Sequence, residues 1–344
     1  MKLTSVLATA LGVAGLVAIV AYAGLGAVGR AVSSLGFGGL VVVAAVHLPL
    51  IALLGSAWWL IGKDIPAAAP WKFVAARLVR ESAAEVLPFS QLGGILGGAR
   101  ALTLTGLRAV PVATATLIDL LIELVAKIPY VAAGAILLLL AKPDSSILRP
   151  VAYGLGVTLL LLLSVIVFRH RIVAALARAA MALGARWRAL GLESPNEVRQ
   201  ALDREFVRSD RILFGLALHT LSWMLGAGET WVAFHLMGHA VTVYEAFVID
   251  SLFSGLRTFG VAVPAAIGVQ EAGYVLVCAL FGIDPAVAVA FSLVRRGREF
   301  VIGIPVLGFW QFAESGRTVA RLAGRSGARA SEGTGDRAYR SNLR

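Results

Sequence analysis

The sequence LPFSQLGG at residues 87–94 interrupts an apolar stretch that extends from about residue 73 to residue 105. A second apolar stretch, at about residues 245–282, is interrupted by a proline and a glycine in the same way. Proline removes a hydrogen bond from a helix interior and glycine lowers helix propensity, so both stretches contain helix breaks. In a bilayer, broken backbone is tolerated only where protein or a water-filled cavity covers it. We therefore predict two re-entrant helical hairpins, whose helix-breaking residues are Pro88, Gly93, Gly94, Pro264 and Gly268.

The composition indicates that the chain lies in a membrane. Hydrophobic residues make up 58% of the 344 residues and charged residues 15%, whereas soluble domains are about a quarter charged. Several apolar stretches exceed the roughly 18 residues that a helix needs to cross a bilayer. We predict an all-α, polytopic integral membrane protein with about six spanning helices and two re-entrant hairpins. The predicted spans are residues 6–25, 39–61, 110–140, 150–168, 212–237 and 286–312.

The first span has an alternative interpretation. Lys2, the apolar run and Ala21-Tyr22-Ala23 also resemble a signal peptide with its cleavage site. We favour an uncleaved helix because the apolar run is long for a signal-peptide core. Cleavage would leave the later topology unchanged.

The net charge of +11 is concentrated in two segments next to apolar stretches. Residues 169–211 hold nine arginines against five acids, and residues 313–344 hold seven against three. Such segments mark the cytoplasmic side of a membrane protein, and no nucleic-acid recognition motif accompanies them. We therefore predict a basic cytoplasmic loop at residues 169–211, cytoplasmic termini, and a basic disordered tail at residues 313–344.

The two hairpins belong to a predicted internal repeat. Pro88 and Pro264 are 176 positions apart, and the same shift aligns further prolines, glycines and a glutamate. The first repeat covers about residues 39–141 and the second about residues 212–312, within a transmembrane domain of residues 1–312. Inverted repeats of broken helices are typical of transporters, with the site near the midplane; a chance alignment is the alternative. The other aligned pairs are Gly62 with Gly238, Gly97 with Gly273, Gly106 with Gly282, Glu123 with Glu299 and Pro129 with Pro305.

Four charged residues lie inside the last predicted span: Arg295, Arg296, Arg298 and Glu299. At roughly 2.5 to 3.5 kcal/mol per central charge, four lipid-facing charges would cost on the order of 10 kcal/mol. The cluster should therefore face a cavity or the bundle interior, with Arg295 and Glu299 paired one helical turn apart. We favour a substrate-binding role, because guanidinium groups suit the oxygens of a lipid headgroup. A structural ion-pair network and a displaced span with interfacial arginines are the alternatives.

Carboxylates occupy the matching positions of the first repeat. Asp119 and Glu123 are the repeat mates of Arg295 and Glu299, and they share one helix face. They either pair with those residues across the repeats or carry protons for coupling.

The polar residues of the hairpins are further candidates for substrate contact. A broken helix exposes backbone groups that bind polar atoms, so side chains beside the break either help to bind a substrate or satisfy the backbone itself. These side chains are Gln91, Gln270 and Glu271.

Catalytic and metal-binding motifs are absent from the sequence. His235 and His239, with His219 and Glu229 upstream, lie where an outer membrane interface is expected and do not form a convincing zinc site. Walker A, HExxH and GxSxG motifs do not occur. We predict no enzyme activity, no metal and no cofactor.

Three motifs carry a family resemblance: LPFSQLGG at residues 87–94, GVQEAGY at 268–274 and SLVRR at 292–296. Together they resemble the transmembrane, flippase-like part of the lysylphosphatidylglycerol synthase family, and within it the hopanoid-biosynthesis-associated HpnL branch. The similarity covers about residues 39–312. It implies a bacterial inner-membrane protein that moves lipids between leaflets or towards the outer membrane. Many members carry an acidic residue after the Gly-Gly of the first hairpin, where this chain has Ile95, so a carboxylate role there is in doubt.

These features predict transport of a polar lipid, with a hopanoid or an anionic phospholipid as the partner. Arginines suit the phospholipid better, because hopanoid heads are mostly uncharged. The alternatives are a membrane partner or subunit of a lipid-modifying enzyme system and an ion-coupled transporter of a small solute. Lipid-biosynthesis or export proteins are further candidate partners, and nucleic acid is not.

Reporter fusions test the predicted topology. Fusions after residues 66, 190 and 330 should report the cytoplasm, and fusions after residues 30, 145 and 283 the periplasm. The reason is that strongly basic segments stay on the cytoplasmic side. A periplasmic signal at residue 190 would contradict the inverted-repeat arrangement.

Overall fold

A computed structural model describes residues 25–86, 90–141, scattered positions between 153 and 171, 209–257 and 268–341. The described residues form helices joined by turns, without a strand, which confirms the predicted all-α fold. The predicted first span, most of the basic loop at 169–211, Pro88 and Pro264 lie outside the described residues. The helices are α1 (Leu25–Gly62), α2 (Pro70–Val86), α3 (Ser90–Leu104), α4 (Ala109–Ala141), α5 (Ser209–Leu236), α6 (Val243–Arg257), α7 (Val269–Ala279) and α8 (Pro285–Ser341).

Two described helices are long and apolar enough to cross a membrane. They are Val28–Gly62, within α1, and Ala109–Ala141, which is α4. Large apolar side chains are exposed on α1, α4 and α8, an arrangement that suits contact with lipid rather than water. The predicted count of six spans stays a prediction. The most exposed of these side chains are Leu25, Phe37, Leu140, Phe309 and Phe312.

Helix α1 differs from its prediction at the N-terminal end. The sequence predicted a loop around Arg30 and a span that begins at about residue 39, but the helix already begins at Leu25. A kink divides it at Gly36, whose φ of 63° lies in the left-handed region that glycine adopts readily. The glycine thus divides α1 into two helical segments, and the second segment begins close to the predicted start of the span at about residue 39.

The first predicted hairpin consists of α2 and α3, which pack against each other. A β-carbon on Gly97 would lie 3.6 Å from that of Ala83, and one on Gly98 would lie 3.1 Å from the carbonyl oxygen of Ala76. Advancing along α3 therefore moves the contact backwards along α2, so the two helices are antiparallel. Glycines at this surface allow close approach of the two backbones.

The second hairpin consists of α6 and α7, which also pack against each other. Gly273 on α7 is so close to α6 that an added β-carbon would lie 3.1 Å from the Phe253 ring. Gly268, a predicted helix breaker, precedes α7 with a φ of 81°. A residue with a side chain is strained in this conformation, so the glycine is required where the helix begins.

The order and bounds of the elements follow the predicted repeat. Helix α4 begins at Ala109 and α8 at Pro285, which are 176 positions apart (285 − 109). The turn before each helix contains a glycine with positive φ, 91° at Gly106 and 71° at Gly282. A left-handed residue therefore occurs at the same place in both turns.

The two halves interlock, because each hairpin also packs on the long helix of the other half. Helix α8 contacts α2 at Gly303, where an added β-carbon would lie 2.6 Å from the side chain of Val86. Helix α6 contacts α4, where Gly134 leaves no room for a β-carbon beside Ser251. Helices α1 and α5 pack together as well. The polar residues of both halves are thereby brought into one interior.

The disordered tail predicted at residues 313–344 stays a prediction, although a described helix overlaps it. Helix α8 continues beyond residue 312 and ends at Ser341. The glycines and serines of this segment suggested disorder, but alanine and arginine, which also recur there, are good helix formers.

Substitution of Gly55 by alanine tests the close packing of α1 on α2. A β-carbon at Gly55 would lie 2.6 Å from the Cα atom of Val74, whereas one at Gly38, in the same helix, would have no neighbour within 4 Å. We expect Gly55→Ala to lower the melting temperature in detergent, because overpacking costs about 1–3 kcal/mol. Gly38→Ala should leave it unchanged or raise it, since alanine favours a helix by about 1 kcal/mol. Equal melting temperatures for the two variants would contradict this packing.

Candidate functional site

Buried charged residues from several helices meet in the interior of the bundle. Burial of ionised groups is costly unless they are paired and hydrogen-bonded, so their partners decide what they can do. The charged groups with less than a tenth of their surface exposed are Arg77, Arg80, Asp119, Glu229, Asp250, Glu271, Arg298 and Glu299.

The first buried carboxylate cluster is centred on Asp119 of α4. Arg80 Nη1 donates to its Oδ2 atom at 2.8 Å, and Arg77 Nη1 lies 3.5 Å from the same oxygen. From α5, His219 Nε2 lies 3.0 Å from Oδ1. Glu123, one turn further along α4, accepts from Arg77 at 2.9 Å and from Arg80 at 2.7 Å. Both carboxylates are thus held by the two arginines of α2.

The second buried carboxylate cluster is centred on Asp250 of α6. Arg295 Nη1 of α8 donates to its Oδ1 atom at 2.6 Å, and Thr230 Oγ1 of α5 donates to the same atom at 3.0 Å. The hydroxyl group of Tyr130, on α4, donates to Oδ2 at 2.8 Å. Three helices therefore converge on one carboxylate.

The signs of the charges are exchanged between the two repeats. In the first repeat, hairpin helix α2 carries arginines and the long helix α4 carries carboxylates. In the second repeat, hairpin helix α6 carries the carboxylate Asp250 and the long helix α8 carries Arg295. Each repeat thereby pairs its own charges.

Two predicted ion pairs are wrong as a consequence. Asp119 and Glu123 do not pair with Arg295 or Glu299 across the repeats, because α2 supplies their partners. Arg295 does not pair with Glu299 one turn away, because Asp250 lies closer to its guanidinium group.

Arg296 and Arg298 of α8 are also paired. Arg296 Nη2 donates to Glu271 Oε1 at 2.8 Å. Arg298 forms an ion pair with Glu229 of α5, and its Nη2 atom lies 3.3 Å from Glu299 Oε1. The arginine cluster therefore lies in the interior as an ion-pair network.

The polar residues beside the second helix break contact the hairpin and α8. Glu271 accepts a hydrogen bond from the backbone N–H of Gly268 at 2.7 Å, which caps the start of α7. Gln270 Nε2 donates to the carbonyl oxygen of Ser292 at 3.3 Å. The side chain of Gln91, in the first hairpin, lies outside the described residues. A substrate-binding role for Gln91, Gln270 and Glu271 stays a prediction.

The two hairpins meet through an ion pair between Glu85 and Arg257. Glu85 lies near the end of α2 and Arg257 is the last residue of α6, so each stands beside the break of its hairpin. Their side chains retain exposed fractions of 11% and 29%, more than the buried clusters do. This contact is the most accessible ion pair between the described parts of the hairpins.

Sequence reasoning missed the roles of Arg77 and Arg80. The segment that holds them, together with Lys63 and Lys72, is predicted to be cytoplasmic because it is basic. Both arginines are instead buried, with exposed fractions of 1% and 5%. Their spacing of three residues on one helix face, opposite two carboxylates spaced by four, was the available signal. The pairing of helices is not visible in a single sequence.

Among the described residues, no three histidine, cysteine, aspartate or glutamate side chains are grouped as metal ligands. His235 Nδ1 instead lies 2.9 Å from the carbonyl oxygen of Trp231 in its own helix.

Comparison with known proteins gives one match. A family model described as the lysylphosphatidylglycerol synthase TM region matches residues 5–306. Membrane location and a connection with lipid metabolism follow from this match, which does not distinguish the hopanoid branch. No curated protein and no solved structure matches the chain.

Paired substitutions test whether Arg295 is structural. Arg295→Leu leaves Asp250 buried without its cation, so we expect a loss of about 3–5 kcal/mol in stability. The double variant Arg295→Leu, Asp250→Leu should recover most of it, and so should the exchange Arg295→Asp, Asp250→Arg. Thermal unfolding in detergent measures both effects.

Arg30→Leu serves as the control, because Arg30 is exposed and its loss should change stability little. An Arg295→Leu variant of normal stability would contradict the structural role.

Proposed function

The chain belongs to the lysylphosphatidylglycerol synthase transmembrane family, and we propose that it moves a polar lipid, of the hopanoid class, across or out of the bacterial inner membrane. In this proposal both termini are cytoplasmic, the chain crosses the membrane several times, and it catalyses no covalent reaction. The lipid headgroup passes beside the hairpin breaks.

The observation that carries the proposal is the Glu85–Arg257 ion pair. It joins one hairpin from each repeat at the ends of their first helices. In inverted-repeat transporters, broken helices of the two repeats form the substrate site near the membrane midplane. The Glu85 and Arg257 side chains are also less buried than the clusters behind them, so a headgroup can compete for their hydrogen bonds.

The distribution of ion pairs supports movement of one repeat against the other. In the buried interior, arginine–carboxylate pairs join helices of the same repeat, as for Arg80 with Asp119 and Arg295 with Asp250. Apart from the Glu85–Arg257 pair of the hairpins, the contacts between the repeats in the described interior use hydroxyl or imidazole partners, as for Tyr130 with Asp250. Separation of a neutral hydrogen bond exposes no unpaired arginine, so such a motion avoids the main cost of buried charge.

The charge balance favours an uncharged polar headgroup over an anionic one. Every arginine of the two clusters contacts a carboxylate, so a phosphate would have to displace an existing partner. A polyol can instead exchange hydrogen bonds without changing the charge of the site. This argument reverses the preference for a phospholipid that the arginines alone suggest.

A crosslink between the hairpins tests the proposed route. Glu85→Cys, Arg257→Cys, in a Cys278→Ser background, places two thiols at the hairpin ends of a chain whose natural sequence has one cysteine. In reconstituted vesicles, the unlinked protein should move a labelled polyhydroxylated hopanoid between leaflets faster than protein-free vesicles do. A short thiol crosslinker should stop this movement, and reduction of a cleavable linker should restore it.

The matched control is Thr242→Cys, Glu245→Cys, which replaces an exposed hydrogen bond of 2.9 Å within the second repeat. Its crosslink should leave lipid movement unchanged. If phospholipid moves and hopanoid does not, the substrate class is wrong. If neither lipid moves, the transport proposal fails.

A further inference from the structure

His47 of α1 occupies a position that offers its ring nitrogen two incompatible hydrogen bonds. Its Nδ1 atom lies 2.7 Å from Glu229 Oε2 and 3.2 Å from Arg298 Nη1. A carboxylate only accepts hydrogen bonds and a guanidinium group only donates them. The contact with Glu229 therefore needs a proton on Nδ1, and the contact with Arg298 needs the proton to be absent.

From this geometry we propose that His47 is a proton-binding site and that its protonation drives the lipid movement proposed above. The coupling of protonation to lipid movement rests on the proposed function. The assignment of His47 as a proton-binding site depends only on the contacts of His47. Neither the family match nor the hairpin ion pair assigns this role.

The charges beside His47 have opposite signs. The carboxylate of Glu229 favours the protonated ring, and the guanidinium group of Arg298 favours the neutral ring. The proton occupancy of His47 therefore depends on which of these two partners the ring faces.

The other charged side chains near this group already have partners, as for Arg296 with Glu271 and Arg257 with Glu85. Helix α5 contributes Glu229, and α8 contributes Arg295, Arg298 and Glu299. Of these, Arg295 is already bonded to Asp250. Helices α2 and α4 also pack on α1, but the charged side chains of their cluster pair with one another and with His219; they are Arg77, Arg80, Asp119 and Glu123.

His47 is also the accessible member of the group. Its side chain is 19% exposed, whereas that of Glu229 is 1% exposed. The other buried histidine–carboxylate pair, His219 with Asp119, is fully buried on both sides. A proton can therefore reach His47 more readily than it can reach His219.

Protonation changes the helix to which α1 is bonded. With the proton present, His47 donates to Glu229 and holds α1 on α5. Without the proton, Nδ1 accepts a hydrogen bond from Arg298, and this bond joins α1 to α8 instead. Since α1 belongs to the first repeat and α5 and α8 to the second, the proton alters a contact between repeats, which is the contact that transport must change.

Two measurements on the full-length protein test this inference. The first follows a labelled polyhydroxylated hopanoid in reconstituted vesicles, with and without an imposed pH gradient. We expect the gradient to change the rate about fivefold or more, the lower end of ordinary coupling. His47→Gln should reduce this ratio to one, and His235→Gln, a histidine that contacts only its own helix, should retain it. A wild-type ratio of one, or an unchanged ratio in His47→Gln, overturns the coupling.

The second measurement follows the ring nitrogens of His47 by nitrogen-15 NMR between about pH 5 and about pH 8, the range in which histidine changes its charge. The signal is identified by its absence in His47→Gln. We expect it to change from imidazolium to neutral imidazole. If no lipid moves under any condition, the proposed function fails, but a His47 that keeps one protonation state overturns the proton site independently.

Discussion

The cost of burying charge is the constraint on which this interior depends. Asp119 and Asp250 lie in the middle of the bundle, each with three donors from neighbouring helices. If one donor is removed, the carboxylate keeps its charge and loses part of its compensation, which is more expensive than losing an apolar contact. The helices that supply these donors are therefore fixed relative to each carboxylate. Glycines at the helix contacts let the backbones come close enough for these hydrogen bonds to form.

The exchange of signs between the repeats gives this constraint a functional consequence. If hairpin and long helix carried the same signs in both halves, charges would attract across the repeats and would lock them together. Because Arg80 pairs with Asp119 and Arg295 with Asp250, each repeat is neutralised from within. In the described interior, the interface between the repeats is then left to hydroxyl and imidazole groups, whose bonds are weaker and more easily exchanged. The less buried Glu85–Arg257 pair at the hairpin ends is the exception.

The sequence predicted the elements of the fold better than the contacts of the site. The breaks at Gly268 and between α2 and α3, and the shift of 176 positions between Ala109 and Pro285, depend on local backbone chemistry that a single chain displays. The partners of Arg295 depend on which helices face each other, and Asp250 carries no local sign of its role. The same limit explains why Arg77 and Arg80 looked like topology signals: a buried arginine and a cytoplasmic arginine are identical in sequence.

The contacts between repeats also suggest why a polyol headgroup fits this interior. When the repeats separate, Asp250 loses the hydroxyl group of Tyr130 but keeps Arg295 and Thr230. A buried acceptor that loses a partner costs about 1–3 kcal/mol unless another donor replaces it. A headgroup hydroxyl has the same chemistry as the tyrosine that has left, whereas a phosphate would bring a second negative charge to a carboxylate. In the proposed lipid movement, headgroup hydroxyl groups between the repeats would thus replace the hydrogen bond that Asp250 loses when the repeats separate.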